Sequence, residues 1–119
     1  MFELSGTRIR LTQGDTGILT INAKDSDHVW TEADKVVFTA RKQSGSLLVE
    51  MVLQPEADGR VQIPFTSDLS DGWKAGDYKW DIRYVIDATM ENGRVVDGRE
   101  VITPMTPSVL TIMEAVGKV

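Results

Sequence analysis

The run Lys74-Ala75-Gly76-Asp77-Tyr78-Lys79-Trp80-Asp81-Ile82-Arg83-Tyr84-Val85-Ile86-Asp87 decides how this chain is read. Tyr78, Trp80, Ile82, Tyr84 and Ile86 fall on one side of a two-residue repeat, and Lys79, Asp81, Arg83 and Asp87 on the other. Only Val85 breaks the alternation. This is the pattern of a strand with one face buried. Three of the chain's five Trp and Tyr residues lie on the apolar side, so the core is expected to be built on this strand.

Further short alternating segments flank it. Thr7 to Gln13 places Thr7, Ile9, Leu11 and Gln13 opposite Arg8, Arg10 and Thr12, an amphipathic strand with its basic side outward. Gly14-Asp15-Thr16-Gly17 makes a turn, and Ile18 to Ala23 is a second strand, expected to pair with the first as a hairpin. Lys24 to Asp34 is a polar connection anchored to the core by Trp30. Lys35 to Lys42 and Leu47 to Gln54 form a hairpin about Gly45, and Arg60 to Phe65 alternates with Val61, Ile63 and Phe65 inward. Thr66 to Trp73 reads as one helical turn, capped by Thr66 or Ser67 and stopped by Gly72, with Leu69 and Trp73 spaced to touch the core. Asn92-Gly93 and Asp97-Gly98 mark a polar hairpin region, Val101 to Thr103 is a candidate short strand, and Ser108 to Glu114 is the last strand. Gly76-Asp77-Tyr78 resembles the tyrosine corner of immunoglobulin-like sandwiches, with Trp80 at the place of their second cysteine. The expectation is an all-β, immunoglobulin-like antiparallel β-sandwich of about seven to nine strands. Residues 1–119 make one domain.

Composition narrows the function classes. With 41% hydrophobic and 26% charged residues and no apolar run of about 18, the chain reads as globular, and no membrane association is expected. Met1 to Thr7 lacks a basic and an apolar secretory region, so synthesis in the cytoplasm is expected. A net charge of -5 argues against nucleic acid and for a protein partner. Cysteine is absent, which removes disulfides, thiolate nucleophiles and Cys-ligated zinc.

Few side chains carry chemistry. His28 is the single histidine and reads as a solvated loop residue. Asp25, Asp27, Glu32 and Asp34 offer oxygen ligands to calcium, without the glycine and glutamate order of a calcium loop. Asp15 invites comparison with aspartic proteases, but a Gly-Asp turn between strands accounts for it. Tyr78, Trp80 and Tyr84 belong to the core face, leaving Trp30 and Trp73 as candidate surface contacts. No catalytic residue, metal ligand or cofactor is expected, and the chain does not read as an enzyme.

Three stretches, Gly14-Asp15-Thr16-Gly17-Ile18-Leu19-Thr20-Ile21, Ala33-Asp34-Lys35-Val36-Val37-Phe38-Thr39-Ala40-Arg41 and Trp73-Lys74-Ala75-Gly76-Asp77-Tyr78-Lys79-Trp80-Asp81-Ile82, carry a family resemblance. Together they resemble the N-terminal domain of the upper baseplate proteins (BppU type) of phages that infect Gram-positive bacteria, and related small tail proteins. The resemblance spans about Thr7 to Thr111. It implies a non-enzymatic virion component, assembled in the bacterial cytoplasm, whose partners are other phage tail or baseplate proteins and which is a candidate homo-oligomer. No C-terminal stem is expected, so contacts would run through sheet edges and loops. The alternative is a carbohydrate-binding or adhesin-like module of the same fold.

Overall fold

The computed structural model describes residues 1–22 and 28–117. Eleven strands and one short helix follow in order: β1 (Phe2–Ser5), β2 (Arg8–Thr12), β3 (Gly17–Asn22), β4 (Lys35–Arg41), β5 (Leu47–Leu53), β6 (Arg60–Phe65), α1 (Ser67–Asp71), β7 (Gly76–Ile86), β8 (Thr89–Glu91), β9 (Arg94–Asp97), β10 (Glu100–Ile102) and β11 (Ser108–Met113). The large sheet runs β1-β2-β11-β7-β4-β5, with β10 also paired to β7, and β3 with β6 forms the facing two-stranded sheet. An all-β, sandwich-like fold is thus what the chain adopts.

Strand β7 is the centre of the large sheet, and its alternation is the one read from the sequence. Tyr78, Trp80, Ile82, Tyr84 and Ile86 are buried, together with Val36, Phe38 and Ala40 of β4, Ile9 and Leu11 of β2, and Leu110 and Ile112 of β11. The facing sheet supplies Leu19, Val61, Ile63 and Phe65. Phe38 stacks on Trp80 with ring centroids 5.4 Å apart and planes 27° from parallel. Phe65 meets Phe38 edge-on at 5.7 Å, so this trio joins the two layers. In immunoglobulin domains a buried tryptophan packs on the intersheet disulfide. Here an aromatic pair occupies the equivalent middle of the core. The tyrosine corner also forms, the Tyr78 hydroxyl donating to the Lys74 carbonyl at 2.6 Å.

Several expectations are corrected. β2 and β3 do not pair as a hairpin. β2 pairs with β1 and β11, whereas β3 crosses to β6, because Leu11 and Leu19 must face each other across the core rather than lie side by side. The β2–β11 pairing is parallel, Ile9 standing opposite Leu110, so the large sheet is mixed rather than purely antiparallel. Among the described residues there are eleven strands, where about seven to nine were expected. β1 adds one through a turn at Gly6 (φ 61), and β8 with β9 forms a separate hairpin about Asn92 and Gly93, both at positive φ. The β4–β5 hairpin about Gly45 forms as expected, with a register shift at Ala40/Arg41. Thr66 caps α1, its hydroxyl accepting from the Leu69 amide at 3.3 Å.

Val85 breaks the alternation for a structural reason. It points to the outer face of β7, opposite Val101 of β10, and is 4% exposed. A Cβ on Gly98 would approach its Cγ1 to 2.3 Å, so the β9–β10 turn lies directly on it.

Trp80→Ala, which empties the middle of the core, is expected to lower unfolding free energy by about 4 kcal/mol. Val109→Ala, half-buried on the outer side, should cost under about 1.5 kcal/mol. Urea denaturation of both variants checks the contrast. Tyr84 donates to the Gly59 carbonyl at 2.8 Å, and burial, with a smaller contribution from Asp58, pushes its pKa up to about 12. The unfolded phenol ionises near pH 10, so stability that is complete below about pH 10 should be lost as pH rises toward 12. Tyr84→Phe should flatten that alkaline loss in a thermal-melt series.

Candidate functional site

The two tryptophans singled out as candidate surface contacts are both core residues. Trp30 is 4% and Trp73 6% exposed. Trp30 packs on Tyr84 at 5.0 Å, and its amide donates to the Ala57 carbonyl. Trp73 meets Phe65 edge-on at 6.2 Å, and its carbonyl accepts from the Gln13 side chain at 2.8 Å. Tyr84 lies toward one end of β7, whereas Phe65 pairs with Gly17 toward the other, so the two rings plug opposite ends of the sandwich. Their placement in connecting segments allowed both a core anchor and a surface contact, and the core anchor is what forms. The ends of a two-layer core are open, and large rings from loops close them.

The acidic loop also differs from expectation. Asp25 and Asp27 lie outside the described residues. Glu32 is exposed, and Asp34 is fully buried as a brace. Its Oδ2 accepts from the Thr31 amide and from His28 Nε2, each at 2.9 Å, and its Oδ1 accepts from the Asp87 amide at 2.9 Å. His28 is therefore not merely solvated. It bonds Asp34 and stands edge-on to Trp30 at 4.7 Å. Burial alone pushes the Asp34 carboxyl up, but the Asp87 and Thr31 amides and the His28 ring together hold it below its ordinary value. Asp15 pairs with the Met1 ammonium on a half-buried turn. Among the described residues no group of three or more His, Cys, Asp or Glu is placed to hold a metal ion. No described helix is long and apolar enough to cross a membrane.

What the fold does build is a groove on the outer face of the large sheet, enclosing about 410 Å³. Its floor is Val37 and Thr39 of β4 with Asp81, Arg83 and Val85 of β7, and its wall is Val95, Val96, Asp97 and Gly98 with Val101. The β8–β9 hairpin is tied across the sheet by Arg94, whose Nε and Nη2 donate to the two carboxylate oxygens of Glu50 at 2.9 and 3.1 Å. That bidentate contact holds the Glu50 carboxyl below its usual value against the opposing effect of burial. Arg99 bonds Asp87 at 2.6 Å at the far end. A half-open trough whose floor mixes valines with Asp81 and Arg83 and whose wall is mostly valine binds by shape, apolar contact and charge.

Sequence reasoning missed this groove, although one signal pointed to it. Val85, the lone apolar residue on the polar side of β7, marks where the outer face is covered. Compared with known proteins, the chain matches no protein-family model, and no curated protein or solved structure shows significant similarity to it. The class of protein defined by fold and site is thus a sandwich-like all-β domain with an outer-face groove.

Asp34→Asn removes the carboxylate that three donors share, and is expected to cost about 2–3 kcal/mol. Because the folded carboxyl titrates below its unfolded value, its contribution is complete above about pH 4 and is lost as pH falls further. Wild type should therefore lose stability below about pH 4 more steeply than Asp34→Asn, as followed by urea midpoints from pH 7 to 2.

Proposed function

We propose that this chain is a non-enzymatic structural component of a phage or prophage tail or baseplate, acting by docking to other proteins of the particle. The observation that carries the proposal is the open edge of the large sheet. Strand β5, Leu-Leu-Val-Glu-Met-Val-Leu, pairs only with β4 among the described residues, and six of its seven residues are apolar. It has no lysine or proline, two of the devices that keep an edge from pairing, and Glu50 is its single charge. Leu47 at its start is 47% exposed. At the other end of the sheet β1 is a second edge, where Leu4 is 46% exposed. Such edges suit strand addition within an assembly. The three stretches that resemble upper baseplate domains lie in β3, β4 and β7, the strands that form the two layers of the core.

A carbohydrate-binding module remains the second reading, but it has lost its supporting residues, since Trp30 and Trp73 are both buried. Stacking on a sugar ring requires an exposed aromatic face.

Immunogold labelling of tailed particles induced from the strain that carries the gene tests the proposal. The expected result is label at the tail end of intact particles, with the chain present in them by mass spectrometry. Purified particles free of the chain, or glycan-array binding with the chain absent from particles, would overturn it.

A further inference from the structure

The outer face of the large sheet carries a pair of like charges in register, with no ion pair to either among the described residues. In the β4–β7 register Arg41 stands directly opposite Lys79, on the face away from Trp80 and Ala40. Like charges in that position repel across a sheet. Lys42 follows immediately. Arg41 donates to the Gly45 carbonyl at 3.0 Å, but neither it, Lys42, Lys79 nor Arg83 forms an ion pair among the described residues.

Arg41, Lys42 and Lys79 border a second hollow of about 300 Å³, closed on one side by Pro107. It shares Thr39, Arg41 and Asp81 with the valine-floored groove, so the two are one continuous trough along β4 and β7. Four cations and three carboxylates line it. One carboxylate, Glu50, is already held by Arg94, and another, Asp97, accepts from the Gly98 amide at 2.8 Å. Asp97 keeps its charge and Arg41 also acts on the Glu50 carboxylate, so the cations exceed the carboxylates by one, or by two once Arg94 is counted with Glu50, in a protein whose net charge is -5. The trough is therefore a local positive site on an acidic molecule. Its other half is mostly apolar: Val37 and Val101 face it beside Arg83, with Val85 beneath Gly98, and Val101 is 52% exposed.

From this we infer that the trough binds an extended acidic segment of a partner protein, an aliphatic side chain resting on the valine floor and carboxylates lying between Arg41, Lys42 and Lys79. Val37 and Arg41 are four residues apart on one strand, about 13 Å. An extended ligand would then carry its apolar residue and its carboxylates four positions apart. A nucleic acid fits less well, because the valine-lined half of the trough adds only Arg83 as a cation and the molecule as a whole repels a polyanion. The inference rests on the docking function proposed above and names the chemistry of the partner's contact.

Fluorescence anisotropy with the labelled hexapeptide Ile-Thr-Ser-Thr-Glu-Glu, blocked at both ends, tests it at about 0.15 M salt. The expected result is saturable binding, weakened at least about tenfold when lysines replace the glutamates or serine replaces the isoleucine. Lys79→Glu should abolish binding while leaving the melting temperature unchanged or raised, since the substitution relieves the repulsion from Arg41. Val101→Asp should weaken binding from the apolar half. Equal affinity for the acidic and basic peptides, or unaltered binding by Lys79→Glu, would overturn the inference. So would tighter binding of a single-stranded oligonucleotide, or of a second copy of this chain in a Lys79-dependent self-association. A peptide that fails while the chain is still found in tail particles removes the trough assignment alone. Peptide binding with particles free of the chain removes the virion function instead.

Discussion

The stacking of Phe38 on Trp80 is the contact on which the other layers depend. It joins the two central strands of the large sheet on their buried side, and Phe65 from the facing sheet closes on it edge-first. Every other element is placed relative to that trio. The Trp80 indole also donates to the Thr7 carbonyl at 3.1 Å, which fixes the entry of β2 beside β11. With no disulfide to hold the sheets together, ring area and shape must keep them in register.

Much of the architecture was legible because β-strands with one buried face announce themselves by period two. The five inward residues of β7, the Gly45 hairpin, the Thr66 cap and the tyrosine corner all follow from local residue chemistry. Pairing between distant strands was not legible. Nothing in Thr7 to Gln13 tells whether its neighbour will be Ile18 to Ala23 or Ser108 to Glu114, because all three present the same alternation and the choice is made by layer packing. The parallel partner of β2 is such a case. Trp30 and Trp73 carried two readings, core anchor and surface contact, and only the first holds, because the open ends of the sandwich need plugs.

The outer face shows a different balance. Its valines, its held glutamate and its opposed arginine and lysine do little for the core, and the Arg41–Lys79 register works against sheet stability. Proteins carry such local conflicts where recognition requires them. The β8–β9 hairpin, by contrast, is anchored by the bidentate Arg94–Glu50 contact and by the seating of Gly98 on Val85, so the wall of the groove is held in place by the chain itself.

The parallel ladder between β2 and β11 has a consequence for the birth of the molecule. Ile9 and Leu110 are direct neighbours, although about a hundred residues are synthesised between them. The first strands leave the ribosome without the strand that completes their sheet, and wait, with apolar sides uncovered, until the last strand has emerged. Closure of so long a loop belongs late in folding, in the slow range typical of sandwiches, on the order of milliseconds to seconds. During that interval the uncovered apolar sides are open to misassembly, and this ends only when β11 slots between β2 and β7.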